Sequence, residues 1–398
     1  MKRFIEKLIL NLAIFLPLHG VITVFLPSPF RFWKEVVLVI LALSMVIFEI
    51  KNFRSHKLKP TSKPEIWSFL FIFWTGILTV LSFNIYTITA TRYLTMGFLT
   101  FFILSRILQN FSKNEIQTLF QKFAKYFCLS AAFSVFFSIW AQFLGGFKVL
   151  SSFYSTTISS WVPGQIIPVF HEIGGIARFQ GTSSGPIEFA HLLMIALFLT
   201  SFLKFSRKIK LALAALFLLG IVGSLSRAAM IASMLGIIIF IGQNLKVSKK
   251  IFFSSLAIVF FGSSFLFLIP SLRTQFVQRA GTSEHFTRPI EVFENALGTP
   301  FLEKLASVGP AARARNLKLN NDDRAPVAEN IFIDIFAQTG AIGFLLVLGF
   351  FIVYFRLASP AFYAFLIPAI LVMNMATIFD MTPISIAFFT MFGFGVKR

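Results

Sequence analysis

In PVAENIFIDIFAQTGAIGFLLVLGFFIVYF, Pro326 to Phe355, a run apolar enough to cross a bilayer starts with Glu329 and Asn330 and carries Asp334 and Gln338 inside it. A spanning helix needs about 20 predominantly apolar residues, so the segment qualifies by length. Carboxylates and amides are costly in hydrocarbon, and their presence calls for partners or a wet cavity. At about 100° per residue Asn330, Asp334 and Gln338 fall on one stripe, with Glu329 roughly a quarter turn away. A carboxylate at a helix N-terminus is favoured by about 0.3 to 1 kcal/mol, so Glu329 is suited to capping the first turn. The stripe is suited to hydrogen bonding between helices. Each residue is thus explicable alone, and the rest of the chain decides whether they act together.

The whole chain reads like that segment. It is 57% hydrophobic and 13% charged over 398 residues, with mean hydropathy +0.81. A soluble domain is nearer one half apolar and about a quarter charged. The composition therefore predicts an all-α, polytopic transmembrane helical bundle, one integral membrane domain over residues 1–398 in contact with the lipid bilayer. The formal charge of +20 does not point to nucleic acid, because the basic residues sit between apolar spans and not on one soluble face. Cys128 is the only cysteine and lies in an apolar run, which excludes a disulfide framework and predicts a plain core residue. The five histidines are dispersed and no metal-ligand spacing or phosphate-cradling glycine loop occurs, so neither metal nor cofactor is expected. The N-terminal MKRFIEKLILNLAIFLPLHGVITVFL has a basic start but no small-x-small cleavage pattern, and is expected to be a retained first span.

Apolar runs lie at roughly 8 to 26, 36 to 50, 66 to 83, 93 to 110, 126 to 147, 186 to 204, 211 to 225, 228 to 244, 251 to 270, 329 to 355, 361 to 379 and 382 to 395, about twelve spans. The second, seventh, eighth and twelfth are short. With the N-terminus inside, KNFRSHKLKPTSK, SKNEIQTLFQKFAK, KFSRKIK, KVSKK and VKR share one side, which holds 22 of the 36 Lys and Arg. Eight of the other 14 fall in one long loop, 271–328, and long loops weigh little in this rule. Both termini are therefore expected on the cytoplasmic side. The unusual polar residues then gather on the outer face, although side was assigned from charge alone.

Four outer-face features carry chemistry. Arg178 precedes the turn QGTSSG, which runs into a helix start at Pro186, and backbone N–H groups at such a start beside an arginine suit an anion. Alone, Arg178 is equally a solvated loop residue. Glu188 and His191 follow at i and i+3, as an interfacial pair or as part of a site. Arg227 interrupts a long apolar stretch in GSLSRAAMIA, marking either a turn or a side chain that grips phosphate bidentately. In the long loop, Pro289 to Leu297 predicts a short amphipathic helix on the membrane surface, with His285 and Arg288 at its N-terminal side.

An outward cavity with fixed cations and an acid suits two function classes. One is a transferase acting on a lipid-linked diphosphate, the other a transporter or flippase for an anionic lipid. A flippase is expected to show internal pseudo-symmetry, and none is visible in the sequence.

The order ARFQGTSSGPIEFAHLL, SLSRAAMIA, the loop GTSEHFTRPIEVFENAL with VGPAARARN, and AENIFIDIFAQTGAIG resembles the O-antigen ligase and O-antigen polymerase superfamily, over roughly Ala177 to Gly343. The resemblance implies an inverting, metal-independent glycosyltransferase of surface polysaccharide assembly at the outer face of the cytoplasmic (inner) membrane. Its partners would be an undecaprenyl-diphosphate-linked glycan donor, a glycan acceptor and other polysaccharide assembly proteins. Carried onto this sequence, Arg178 and Arg227 would bind the diphosphate, Arg288, His285 and Asn330 would assist, and Glu329 would be the catalytic base. Ligases of this family usually carry His before the Asn, whereas Glu-Asn is common in its polymerase-like members. The resemblance thus favours chain polymerisation over ligation.

Overall fold

The computed structural model describes residues 1–25, 32–56, 59–83, 85–144, 172–173, 176–244, 330–375 and 381–396. These are mostly helical. In chain order the helices are α1 Lys2–Phe15, α2 His19–Phe25, α3 Trp33–Arg54, α4 Lys63–Leu81, α5 Ile85–Leu108 and α6 Lys113–Phe143, then α7 Pro186–Thr200, α8 Arg207–Gly223, α9 Arg227–Asn244, α10 Ile331–Leu357, α11 Tyr363–Met375 and α12 Thr382–Gly395. A two-residue antiparallel pair, Glu172–Ile173 with Ile176–Ala177, precedes Arg178.

Among the described residues five helices are long and apolar enough to cross a membrane: α3, α4, α6, α10 and the Thr87–Leu108 part of α5. Pro186–Thr200, Arg227–Gly242, Pro360–Met373 and Thr382–Gly395 are apolar but shorter. The apolar run at 251–270, the loop 271–328 and its amphipathic helix lie outside the described residues. On α3, Val36, Val39, Leu43, Val46 and Ile50 form an exposed apolar stripe at helical spacing, the surface expected of a helix facing lipid tails.

Three boundaries differ from the expectation. The short second run becomes the 22-residue α3, because Lys34 and Glu35 at one end and Lys51 and Arg54 at the other lie within the helix. Counting apolar residues stops at a charge, whereas backbone hydrogen bonding does not. The connector SKNEIQTLFQKFAK is the start of α6: Ser112 Oγ accepts from Glu115 N and the Glu115 carboxylate accepts from Ser112 N, a capping box that begins the helix at Lys113. The first span is two helices, α1 and α2, separated at Pro17.

The chain divides into two compact units. Unit 1 comprises Met1–Glu65, Leu99–Ser233 and Met381–Arg398. It holds an ionic knot around the buried Arg106, which pairs with the half-exposed Glu49 at 2.7 Å and lies 3.7 Å from the fully buried Glu65, which also accepts from Ser105 and Gln109. Two acids share one guanidinium, and the amide and hydroxyl satisfy the remaining lone pairs, as a buried charge cluster requires. The α12 ring Phe394 packs on Phe120 and Phe123 of α6.

Unit 2 comprises Ile66–Phe98 and Met234–Asp380. Phe98 lies between Phe71 and Phe350, with ring centroids 4.6 and 5.2 Å away. The Trp67 ring covers Gly349, where a Cβ would come within 2.6 Å of it. Helix α10 is not continuous. Gly340 has φ +69° and ψ −174°, a conformation open in practice only to glycine, and it divides the helix into two pieces.

Candidate functional site

The loop that carries Arg178 is built into the interior of unit 1 by main-chain bonds. Proline at position 17 has no N–H and ends regular pairing at the α1–α2 junction. Thr182 takes up the groups left over. Its hydroxyl donates to Pro17 O at 2.6 Å and its carbonyl accepts from Val21 N at 3.0 Å, replacing the bond that Val21 would have made to Pro17. Gly20 makes this possible, because a Cβ there would lie 2.3 Å from the Ser183 carbonyl carbon. On the other side Ser138 and Ser134, one turn apart on α6, accept from Gly181 N and Thr182 N at 2.6 and 2.9 Å. Gly181 has φ +56°, and a Cβ would meet Ser134 Oγ at 2.2 Å. The turn Gln180–Ser184 is thereby held by two helices that are distant from it in sequence.

The same loop reaches the α8–α9 turn. Phe179 N donates to Gly223 O at 2.9 Å, and Arg178 Nε donates to Ser224 O at 2.7 Å. The Phe179 ring lies over Gly223, where a Cβ would approach it within 2.6 Å. Ser224 Oγ donates to Ile221 O and accepts from Ser226 N, and Leu225 adopts φ +54°, so the turn is tight. Arg227 follows as the first residue of α9 and is exposed. Two arginines that are 49 positions apart in sequence are thus brought to one turn, a closer association than the shared outer face that the sequence predicts.

Arg178 is half-buried, and desolvation moves its pKa down from the ordinary guanidinium range. Arginine nevertheless stays charged. With Nε committed to Ser224, the two terminal nitrogens make no hydrogen bond among the described residues, leaving the fork that holds phosphate or carboxylate oxygens.

One turn further, Glu188 and His191 lie on the inner side of α7, both buried. The Glu188 carboxylate accepts from the Ser184 hydroxyl, and Lys34, itself buried, acts on its charge. Lys34 also lies 3.4 Å from His19 Nε2, while His19 Nδ1 accepts from the Trp33 indole at 3.2 Å. Lys34, Thr182, Ser134 and Ser138 are not among the residues that the sequence singles out. The available signals were Pro17 inside an apolar run and a serine pair at i and i+4.

In unit 2 the cap of α10 is Asn330, whose Oδ1 accepts from Phe332 N and Ile333 N at 3.0 and 3.2 Å. Asn330 is thus the N-cap of α10. Asp334 and Gln338, both buried, bond to each other one turn apart, with Gln338 Nε2 donating to Asp334 Oδ2 at 2.6 Å. Glu329, His285 and Arg288 lie outside the described residues. No protein-family model matches the chain, and comparison with curated proteins finds no match.

Proposed function

We propose that the chain is a membrane glycosyltransferase of surface polysaccharide assembly, related to the O-antigen polymerases and ligases. It takes glycan from an undecaprenyl-diphosphate-linked donor on the outer face of the cytoplasmic membrane, and chain polymerisation is favoured over ligation. The observation that supports this reading is the docking of Arg178 on the turn that carries Arg227, with the fork of Arg178 left uncommitted. About twelve spans, cytoplasmic termini and an outer loop at 271–328 complete the arrangement.

The chemistry needs no metal if the two guanidinium groups hold the diphosphate, with His285 and Arg288 assisting from the loop. Glu329 removes the proton from an acceptor hydroxyl. The oxygen attacks the anomeric carbon opposite the diphosphate, the bond from that carbon to the diphosphate oxygen breaks, and configuration inverts. The electron pair leaves on the diphosphate, where fixed cations stabilise the growing charge.

One observation favours the second reading, an anionic-lipid transporter. Discontinuous helices with buried polar groups are the usual construction of transporter binding sites, and α10 is broken at Gly340 next to Asp334 and Gln338. Purified protein incubated with an undecaprenyl-diphosphate oligosaccharide separates the possibilities. Growth of longer lipid-linked chains is expected, and Arg178→Ala, Arg227→Ala and Glu329→Gln should each abolish it. Transfer only to another acceptor means ligation, and an unchanged substrate that crosses the bilayer of a proteoliposome means transport.

A further inference from the structure

Lys34 is 1% exposed and is among the largest fully buried side chains of the described residues. An ammonium group is costly to bury and is kept in an interior where acids and polar groups surround it. Lys34 meets such groups from three elements. On α3 itself, Nζ lies 3.5 Å from the Glu35 carboxylate. From α2 comes His19, buried, with Nε2 at 3.4 Å. From α7 comes Glu188, also buried, on whose charge Lys34 acts. The Glu35 contact is local to one turn of α3, whereas the other two bring α2 and α7 to the same cation.

Both of those partners lead to the turn Gln180–Ser184. His19 opens α2 and is fixed on α3, because the Trp33 indole donates to its Nδ1 at 3.2 Å and the Trp33 ring meets Phe15 edge-on at 5.8 Å. The next two residues of α2 support the turn: Gly20 lies against Ser183, and Val21 N donates to Thr182 O at 3.0 Å. Glu188 supports it from the other side, since its carboxylate accepts from the Ser184 hydroxyl one turn earlier. Between these supports the chain runs back through Gly181 to Phe179 and Arg178, both bound to the α8–α9 turn. One buried cation thus faces both supports of the loop that presents Arg178.

We propose that Lys34 is a positioning residue for diphosphate binding: it steadies the Gln180–Ser184 turn from its α2 and α7 sides and so sets the fork of Arg178. The role rests on the reading of that fork as the diphosphate site. It acts through charge, because a carboxylate that loses its buried counter-cation is driven toward water, and Glu188 would draw Ser184 with it. Removing both charges together leaves no such drive, which gives the proposal its sharpest test.

The test uses full-length protein in detergent, with farnesyl diphosphate as the probe in calorimetric titration and amide hydrogen exchange as a second readout that needs no ligand. Lys34→Met keeps most of the side-chain length and removes the charge. It should weaken the probe by about tenfold or more, each tenfold being about 1.4 kcal/mol. Exchange at the Gly181 and Thr182 amides, which bond to Ser138 and Ser134, should quicken while α10 is unchanged. Lys34→Met combined with Glu188→Gln removes both charges and keeps an acceptor for Ser184, so affinity and exchange should return to within about threefold of wild type. Absence of binding to the wild type overturns the proposal, as does Lys34→Met behaviour equal to wild type in either readout. A double variant that regains the thermal midpoint but not the affinity marks a structural role alone and overturns it too. If Lys34→Met does not fold, the double variant decides by the same criterion. If the wild type elongates lipid-linked chains and Lys34→Met does so with unchanged donor KM, the positioning role is wrong and the transferase stands. If the probe binds as expected throughout but the wild type elongates nothing, the positioning role stands and the transferase reading fails.

Discussion

Both units contain an interrupted helix, and the interruptions are repaired differently. At Pro17 the repair comes from another stretch of main chain, since Thr182 fills both the acceptor and the donor vacancy from 165 positions away. At Gly340 the repair comes from side chains. The Trp74 indole donates to Thr339 O at 2.9 Å, and the Thr339 hydroxyl turns back to Ile335 O. Gly343 leaves the space for it, since a Cβ there would lie 2.0 Å from Thr339 Oγ1. A main-chain repair locks a loop in place to the precision of the backbone, which suits a loop that must present Arg178. A side-chain repair can be released by one rotamer change, which suits a joint.

Substitutions that attack each repair test this contrast. Gly20→Val is expected to have the largest effect, because its Cβ meets the backbone of Ser183, which cannot rotate away. Overpacking of that kind costs about 1 to 3 kcal/mol or more. A lower thermal midpoint together with loss of any Arg178-dependent activity is the expected result, and a normal midpoint would show that α2 does not hold the loop.

Gly340→Ala comes next, at about 1 to 3 kcal/mol for a side chain in a sparsely populated backbone region. Denaturation in detergent measures it, and an unchanged or raised midpoint would mean that α10 straightens without penalty. Thr182→Val removes the hydroxyl that serves Pro17 O and Ser134 while keeping the shape. It should cost about 1 to 3 kcal/mol for the stranded carbonyl, and hydrogen exchange should quicken in α1 and α2 and not in α10. Trp74→Phe is expected to be the mildest, near 1 kcal/mol, because it removes one hydrogen bond and keeps most of the ring. Its exchange signature should be confined to α10. If Thr182→Val and Trp74→Phe loosened the same helices, the distinction between the two repairs would collapse.

Much of the architecture was legible because each signal is local. Apolar runs located the helices, Pro186 at a first helical position marked the start of α7, and SLSRAA marked a turn. The S-x-x-E box at Ser112 is equally local, and it marks a helix start inside a segment whose charges also mark a side of the membrane. The break at Gly340 was not legible, since an isolated glycine is common in apolar helices and becomes a break only when Trp74 takes the freed carbonyl. The pairing of Arg178 with the turn of Arg227 was legible only as a shared side of the membrane. The bonds from Arg178 to Ser224 and from Phe179 to Gly223 join residues 44 or more positions apart, beyond the reach of any local pattern.

Composition and periodicity alone determined that this chain is helical and apolar enough for a membrane, because hydrophobicity and helix starts are properties of short segments. They also singled out Arg178, Arg227 and the Asn330, Asp334 and Gln338 stripe, because charge in an apolar run stands out against its neighbours. Tertiary structure alone decided that Thr182 completes a helix broken at Pro17, that Asn330 is the cap, and that Arg178 is tied to the α8–α9 turn. Those outcomes depend on which distant groups supply or withhold a hydrogen bond, and a hydrogen bond forms only between atoms that folding has brought within about 3 Å.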